Sequence, residues 1–161
     1  MTTVIMEITR IEALHVRQLV AQFVELLGES TRDDPAVARL TPVAYPDDPE
    51  AAREFRSLTA DDMLRRRADD AGVVIADLAV AGDDGDPAEL TTADAVAELT
   101  IVLDQEHTGS WLRTLGAVRL VLASRLGIES ESDGDEDDPR FGVYEWLGYR
   151  LDALVRAADA S

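Results

Sequence analysis

The chain has 161 residues, the length of one domain, and it carries 33 acidic residues against 15 basic ones, all of them arginine. The formal net charge of −18 argues against the basic stripe that nucleic-acid binding requires. With no cysteine, disulfides and thiolate catalysis are excluded. No signal-peptide pattern opens the chain, and no apolar run approaches the roughly 18 residues of a membrane span, so the sequence predicts a cytoplasmic protein without membrane contact.

A short strand followed by a helix opens the chain. Residues 4–8 alternate as a strand does, and Thr9 and Glu12 have the spacing of a capping box. Gly28 is placed to end the helix in the left-handed conformation. Between them, apolar residues recur at helical spacing: Leu14, Val16, Leu19, Val20, Phe23, Val24, Leu26 and Leu27.

The segment 33–67 has the most unusual composition. It contains four prolines, eight acids and six arginines around isolated apolar residues, and no simple helix or strand period fits it. We expect it to adopt one specific docked shape. Near its end, Thr59 has the spacing of a helix cap, which predicts a helix to about residue 81. Because 73–75 is β-branched, a strand at 70–81 remains an alternative.

A second strand–helix unit follows between two acidic segments. Residues 83–94 carry five acids and 129–138 carry seven, with no base in either, so we expect solvated loops near 82–94 and 129–138. The strand at 99–103 precedes a helix capped by Asp104 and ended by Gly127. An isolated strand leaves its backbone groups unpaired, so we expect the two strands to pair with each other.

The last predicted helix begins at Asp138 and Pro139, a cap followed by a proline at the first helical position. Its apolar face comprises Phe141, Tyr144, Leu147, Leu151, Leu154 and Val155. The predicted fold is therefore mainly α. It is one helical domain spanning 1–161, with about five helices and a two-stranded sheet formed by residues 4–8 and 99–103.

The basic residues of the central segment suggest a candidate surface for a partner or an anion. Arginine forks can hold a phosphate or carboxylate, although internal ion pairs with Asp61, Asp62, Asp69 and Asp70 are the favoured interpretation here. The two aspartate pairs lie about 11 Å apart along a helix, too far for one metal ion. The candidate surface comprises Tyr45, Asp47, Asp48, Arg53, Arg56 and Arg66.

Chemical motifs are otherwise missing from the sequence. A pair of His15 or His107 with a carboxylate could serve acid–base chemistry, but a surface histidine at a helix start is the favoured interpretation for His107. There is no nucleophile motif, phosphate loop, zinc pattern or dinucleotide fingerprint. We therefore predict no catalytic residue, no cofactor and no metal.

Several segments in fixed order resemble a known family. They are RLTPVAYPDDPEAAREFRSLT at 39–59, LTIVLD at 99–104, WLRTLGAVRLVLASRLGI at 111–128 and YEWLGYRLDALVRA at 144–157. The chain resembles domain of unknown function number two-thousand-and-seventeen, an uncharacterised and largely actinobacterial family. That resemblance implies a cytoplasmic protein often encoded near the adaptor that feeds N-end-rule substrates to the Clp protease. It assigns no catalytic residues.

Three functions remain open at this point. The first is a helical interaction or regulatory module without catalytic activity, linked to Clp-type proteolysis and binding a protein partner that the sequence does not identify. The second is a small-ligand or anion binder, or an enzyme, that uses the arginines and aspartates of 47–70. The third is an acidic inhibitor that imitates phosphates. A homodimer is an open alternative for the assembly.

Overall fold

The computed structural model describes residues 3–29, 40, 48–80, 91–127 and 139–160, except for the side chains at 29, 52, 53 and 55–61. These residues confirm the mainly helical fold with a small sheet. In chain order they form β1 (Val4–Thr9), α1 (Arg10–Glu29), α2 (Pro49–Val80), α3 (Thr92–Val96), β2 (Glu98–Leu103), α4 (Gln105–Leu126) and α5 (Pro139–Ala160).

The two strands pair with each other, as predicted. They form an antiparallel sheet whose register runs from Val4 opposite Leu103 to Thr9 opposite Glu98. Alternation places one face on the core and leaves the other to solvent. On the outer face, Ile5 and Val102 lie directly opposite each other and are 65% and 63% exposed.

Capping groups fix the starts of α1 and α4. Thr9 and Glu12 form the predicted capping box, with Glu12 N donating to Thr9 Oγ1 and Thr9 N to Glu12 Oε1, both at 3.3 Å. Asp104 caps α4 by accepting the backbone N–H of His107 at 2.7 Å.

The two glycines predicted to end helices behave differently. Gly127 ends α4 with φ of 71°, the left-handed conformation that a residue without a Cβ adopts readily. The prediction for Gly28 is wrong, because α1 continues through Glu29 and Gly127 is the positive-φ glycine of the described residues.

Helix α2 is longer than the sequence predicted. It begins at Pro49, so the predicted cap at Thr59 is wrong and Thr59 lies inside the helix. Asp48 provides the cap instead, accepting the N–H of Ala51 at 3.1 Å, and proline suits the first helical position. The alternative strand at 70–81 is also excluded up to Val80, because the helix turns Val74 into the core.

The short helix α3 was not predicted. Thr91 caps it by accepting the N–H of Asp94 at 3.1 Å, and Ala97 O then accepts the N–H of Arg10 at 2.8 Å. The prediction of a loop near 82–94 is therefore wrong for residues 92–94, which belong to α3. Residues 81–90 and the acidic segment 129–138 lie outside the described part of the chain.

Helix α4 lies at the centre of the packing. It packs against α2 on one side and α5 on the other, while α1 packs mainly on α2. Most residues of the apolar faces predicted for the first and last helices belong to the core, whereas Leu26, Phe141 and Tyr144 are only half-buried and Val155 is 44% exposed. The largest fully buried side chains are Trp111, Leu14, Leu78, Leu103, Leu147, Val20, Val74 and Thr114. This arrangement leaves one cleft between α1 and α5 and another between α2 and α4.

Candidate functional site

Three carboxylates join helices across the molecule, and the first is Glu12 on α1. Its Oε1 accepts the Thr9 hydroxyl at 2.9 Å, and its Oε2 accepts the Trp146 indole N–H at 3.0 Å and pairs with Arg150. Arg150 also donates to the Glu7 carbonyl oxygen at 3.1 Å. Burial alone would raise the pKa of Glu12, but the hydrogen bonds from Arg150 and Thr9 outweigh burial and hold that pKa below its ordinary value.

The second carboxylate, Asp77 on α2, binds two side chains of α4. Its oxygens both lie 2.9 Å from His107 Nδ1, and its Oδ2 accepts the Trp111 indole N–H at 2.9 Å. The hydrogen bond to Asp77 raises the pKa of His107. This is the His–carboxylate pair that the sequence left open, although its aspartate was not identified.

The His107–Asp77 pair lacks the third group of a nucleophilic triad within the described residues. The two hydroxyls of the same helix segment are engaged elsewhere: Thr108 donates to the Asp104 carbonyl oxygen at 2.7 Å, and Ser110 donates to Asp70 at 3.0 Å. A triad needs a hydroxyl within hydrogen-bond reach of the histidine. What the described contacts show is that Asp77 of α2 joins His107 and Trp111 of α4.

The third carboxylate, Asp70 on α2, accepts a bidentate pair from Arg113 on α4. Arg113 Nε and Nη2 donate to its two oxygens at 2.9 and 3.0 Å, and Ser110 adds a third bond. The Arg113 hydrogen bonds lower the pKa of Asp70, and the same bonds raise the pKa of Arg113. Both groups stay charged across the physiological range.

A groove lies between α1 and α5, beyond the Glu12 connection. We call it the α1–α5 groove; its volume is about 510 Å³. The two helices are not a closely packed pair, and Gly142 has open space where a side chain would lie. The described lining residues are Glu12, His15, Gln18, Leu19 and Gln22 of α1 with Gly142, Val143 and Trp146 of α5.

A second cleft, of about 520 Å³, lies between α2 and α4, and we call it the Arg66 cleft. Its described lining residues are Met63, Arg66, Arg67, Asp69 and Asp70 of α2 with Arg113 of α4. Arg66 is exposed and Arg67 is half-buried. Neither forms an ion pair or hydrogen bond with another described residue, whereas Arg65 lies 3.8 Å from Asp62. Of the predicted internal ion pairs, the described residues contain Arg65–Asp62, whereas Asp70 pairs with Arg113 of α4 and not with an arginine of its own helix.

The structure separates the predicted partner or anion surface into three groups. Asp48 caps α2, and Arg66 lies in the cleft. Tyr45 and Asp47 lie outside the described residues, and so do the side chains of Arg53 and Arg56. Arg66 is therefore the one predicted residue that the described structure places in a cleft.

The sequence pattern missed most of the connecting residues. Glu12 was identified only as a cap, and Asp70 only as a partner for arginines of its own helix. Asp77 and the contact of Trp146 carried no local signal, because their partners lie 30 to 134 positions away. A tryptophan on an amphipathic helix requires an acceptor for its N–H when it is buried, and that requirement was the available signal.

The described residues include neither a metal-binding cluster nor a membrane-spanning helix. They contain no group of three or more histidines and acids able to hold a metal ion. None of the helices they form is both long and apolar enough to cross a bilayer.

Comparison with known proteins identifies a family. No curated protein and no solved structure matches the chain. A family model described as Domain of unknown function (DUF2017) matches residues 2–158, nearly the whole length. The chain therefore belongs to the DUF2017 family.

Proposed function

We propose that this chain is a non-enzymatic protein-binding module whose α1–α5 groove receives a basic amphipathic helix of a partner. The groove itself is the observation that carries the proposal. At about 510 Å³ it lies within the usual range of binding clefts, and it combines the apolar surfaces of Leu19, Val143 and Trp146 with the amides of Gln18 and Gln22.

The shape of the groove favours a helix as the occupant. Its walls are two helices that run in opposite directions, since Glu12 contacts Trp146 and Arg150 while Gln22 lines the same groove as Gly142. Residues 12–22 span roughly 15 Å of α1, about three helical turns. A third helix laid between two others buries side chains at positions i, i+3, i+4 and i+7.

The charge of the chain favours a basic partner. The net charge of −18 attracts a cationic surface over the distance of a Debye length. Within the groove, the one described charge is Glu12, which is paired with Arg150. An apolar helix face flanked by lysine or arginine would thus meet a nearly neutral groove in an acidic protein.

The chemistry of the described residues supports binding more than catalysis. Two carboxylates have shifted pKa values, Glu12 and Asp70, and a third, Asp77, is the partner of His107. Each of the three accepts hydrogen bonds from two or more side-chain donors. Carboxylates that accept donors from a second helix in this way connect the two helices. The Clp-type link implied by the family resemblance is part of this proposal, and Clp components are the first partners to test.

A groove-blocking variant tests the proposal. In Gly142→Leu the new side chain enters open space in the groove, so the fold is retained while the occupant is excluded. The matched control is Gly72→Leu, at an exposed position of α2 that is equally unobstructed. Circular dichroism first confirms that both variants keep the wild-type fold. The three proteins are then used to capture partners from a lysate of the native host.

The expected result is a partner with a basic helix that wild type and Gly72→Leu retain and Gly142→Leu loses. The Trp146 indole N–H resonance, assigned by Trp146→Phe, shifts when the purified partner is added. A partner retained equally by all three proteins would refute the groove as the site. Groove-dependent self-association in light scattering would replace the proposed partner with a second copy of the chain.

A further inference from the structure

The Arg66 cleft is separate from the α1–α5 groove, and its charge balance differs from that of the whole chain. Three arginines and two aspartates line it among the described residues, so it has one positive charge in excess within a protein of net charge −18. A local excess of positive charge favours the binding of an anion, even on a protein whose net charge is negative.

One of these arginines is fixed by its partner. Arg113 and Asp70 neutralise each other through the bidentate pair, and Ser110 satisfies a further lone pair of Asp70. Arg113 Nη1 lies only 3.0 Å from where a Cβ of Gly109 would be, so the guanidinium lies against the helix surface there. The pair forms a rigid and nearly neutral wall.

The other two arginines have unused donors. Arg66 and Arg67 extend from successive positions of α2, and neither bonds to another described residue. Arg67 is near enough to Asp70 to lower the pKa of that carboxyl through its charge. Asp69 is the acid left to oppose them, which leaves a single positive charge, and Met63 adds an apolar surface beside it.

We infer that the Arg66 cleft binds a carboxylate attached to a small apolar group, held by the guanidinium groups of Arg66 and Arg67 with its apolar part on Met63. A single excess charge matches a monoanion better than a phosphate dianion, which Asp69 would repel. A planar carboxylate also fits the guanidinium fork. The source can be a free small acid or the carboxyl terminus of a polypeptide. This site goes beyond the proposed function, because it lies on other helices and takes another ligand.

The test uses N-acetyl-leucine, which combines the carboxylate with an apolar side chain, and N-acetylleucinamide, which lacks the charge. Binding is followed in the full-length protein through the guanidinium Nε–H resonances of Arg66 and Arg67 and the methyl resonance of Met63. We expect saturable shifts with N-acetyl-leucine and none with the amide. A dipeptide that has a free amino group and a carboxyl-terminal leucine then distinguishes a peptide terminus from a free small acid as the natural ligand.

Neighbouring substitutions make the test specific. Arg66→Gln should weaken N-acetyl-leucine at least tenfold, because a charged hydrogen-bonding partner is lost. Arg65→Gln removes the same charge one residue away, from a side chain outside the cleft lining, and should change affinity less than twofold. Equal losses in both variants would reduce the effect to general electrostatics and overturn the site. Binding of inorganic phosphate but not N-acetyl-leucine would overturn the carboxylate specificity.

Discussion

A partly buried carboxylate needs donors to replace its lost water, and three side chains of this protein show how those donors are supplied. Glu12 and Asp77 each accept an indole N–H together with a cationic or protonatable partner. Asp70 accepts a guanidinium fork and a hydroxyl. Each set joins two helices, so removing one carboxylate leaves a partner unsatisfied at a helix interface.

Glu12→Gln should lower the free energy of unfolding by about 2 kcal/mol, because Arg150 keeps its charge at a site only 21% exposed and loses its counter-charge. Chemical denaturation at pH 7 measures this. The exposed Glu25→Gln on the same helix is the control and should stay within about 0.5 kcal/mol of wild type. Equal effects of the two substitutions would show that the connection to α5 contributes nothing.

The raised pKa of His107 predicts a pH-dependent contribution to stability. Because that pKa is higher in the folded state than its ordinary value, the contribution is complete below about pH 6.5 and is lost as pH rises through the folded pKa. Asp77, Asp104 and Glu106 are the acids that favour the charged ring. The stability difference between wild type and His107→Gln should therefore shrink from pH 6 to pH 9.

Thermal unfolding across that range, repeated with Asp77→Asn, measures the effect. The asparagine variant keeps an acceptor oxygen but removes the carboxylate charge of Asp77, so its further change with His107→Gln should depend much less on pH. A constant difference between wild type and His107→Gln at every pH would contradict the assignment to this pair.

At the scale of helices and strands, the sequence predicts those features that depend on residues close together in the chain. The strands, the cap at Asp104 and the end at Gly127 follow from patterns within a few residues of each other. The start of α2 is the exception: Asp48–Pro49 repeats the signature of Asp138–Pro139, but the prolines around it favour an irregular segment over a helix. The two clefts could not be predicted, since they depend on which helices pack together and which diverge.

Replacing glycine by alanine should change the stability of the protein in opposite directions at two positions. Gly72→Ala lies inside α2, exposed and unobstructed, and should stabilise the protein by about 1 kcal/mol through helix propensity. Gly127→Ala places a Cβ on a residue with φ of 71° and should destabilise it by about 1 kcal/mol. Denaturant midpoints at unchanged slope measure both, and effects of the same sign would contradict these helix assignments.

At the scale of the whole molecule, the excess negative charge and the described clefts belong to different segments of the chain. Twelve of the acids lie in 83–94 and 129–138, whereas the segment 33–67 has eight acids against six arginines. The described clefts are nearly neutral or slightly positive in their linings. On the proposed function, we therefore expect the excess charge to attract a partner at long range and the clefts to provide the short-range contacts.

This division predicts how partner binding depends on the acidic segment 129–138. Replacing its seven acids by asparagine and glutamine changes the net charge from −18 to −11. The association rate constant for a basic groove partner should fall about tenfold at low salt, and the difference should vanish above roughly 0.5 M salt as screening shortens the Debye length. The dissociation rate should stay nearly constant, because the groove contacts are unchanged.

Stopped-flow or surface-binding kinetics across the salt series measures both rates, with Gly142→Leu as the variant that instead accelerates dissociation. An association rate insensitive to the seven substitutions at low salt would mean that the acidic segment does not steer the partner.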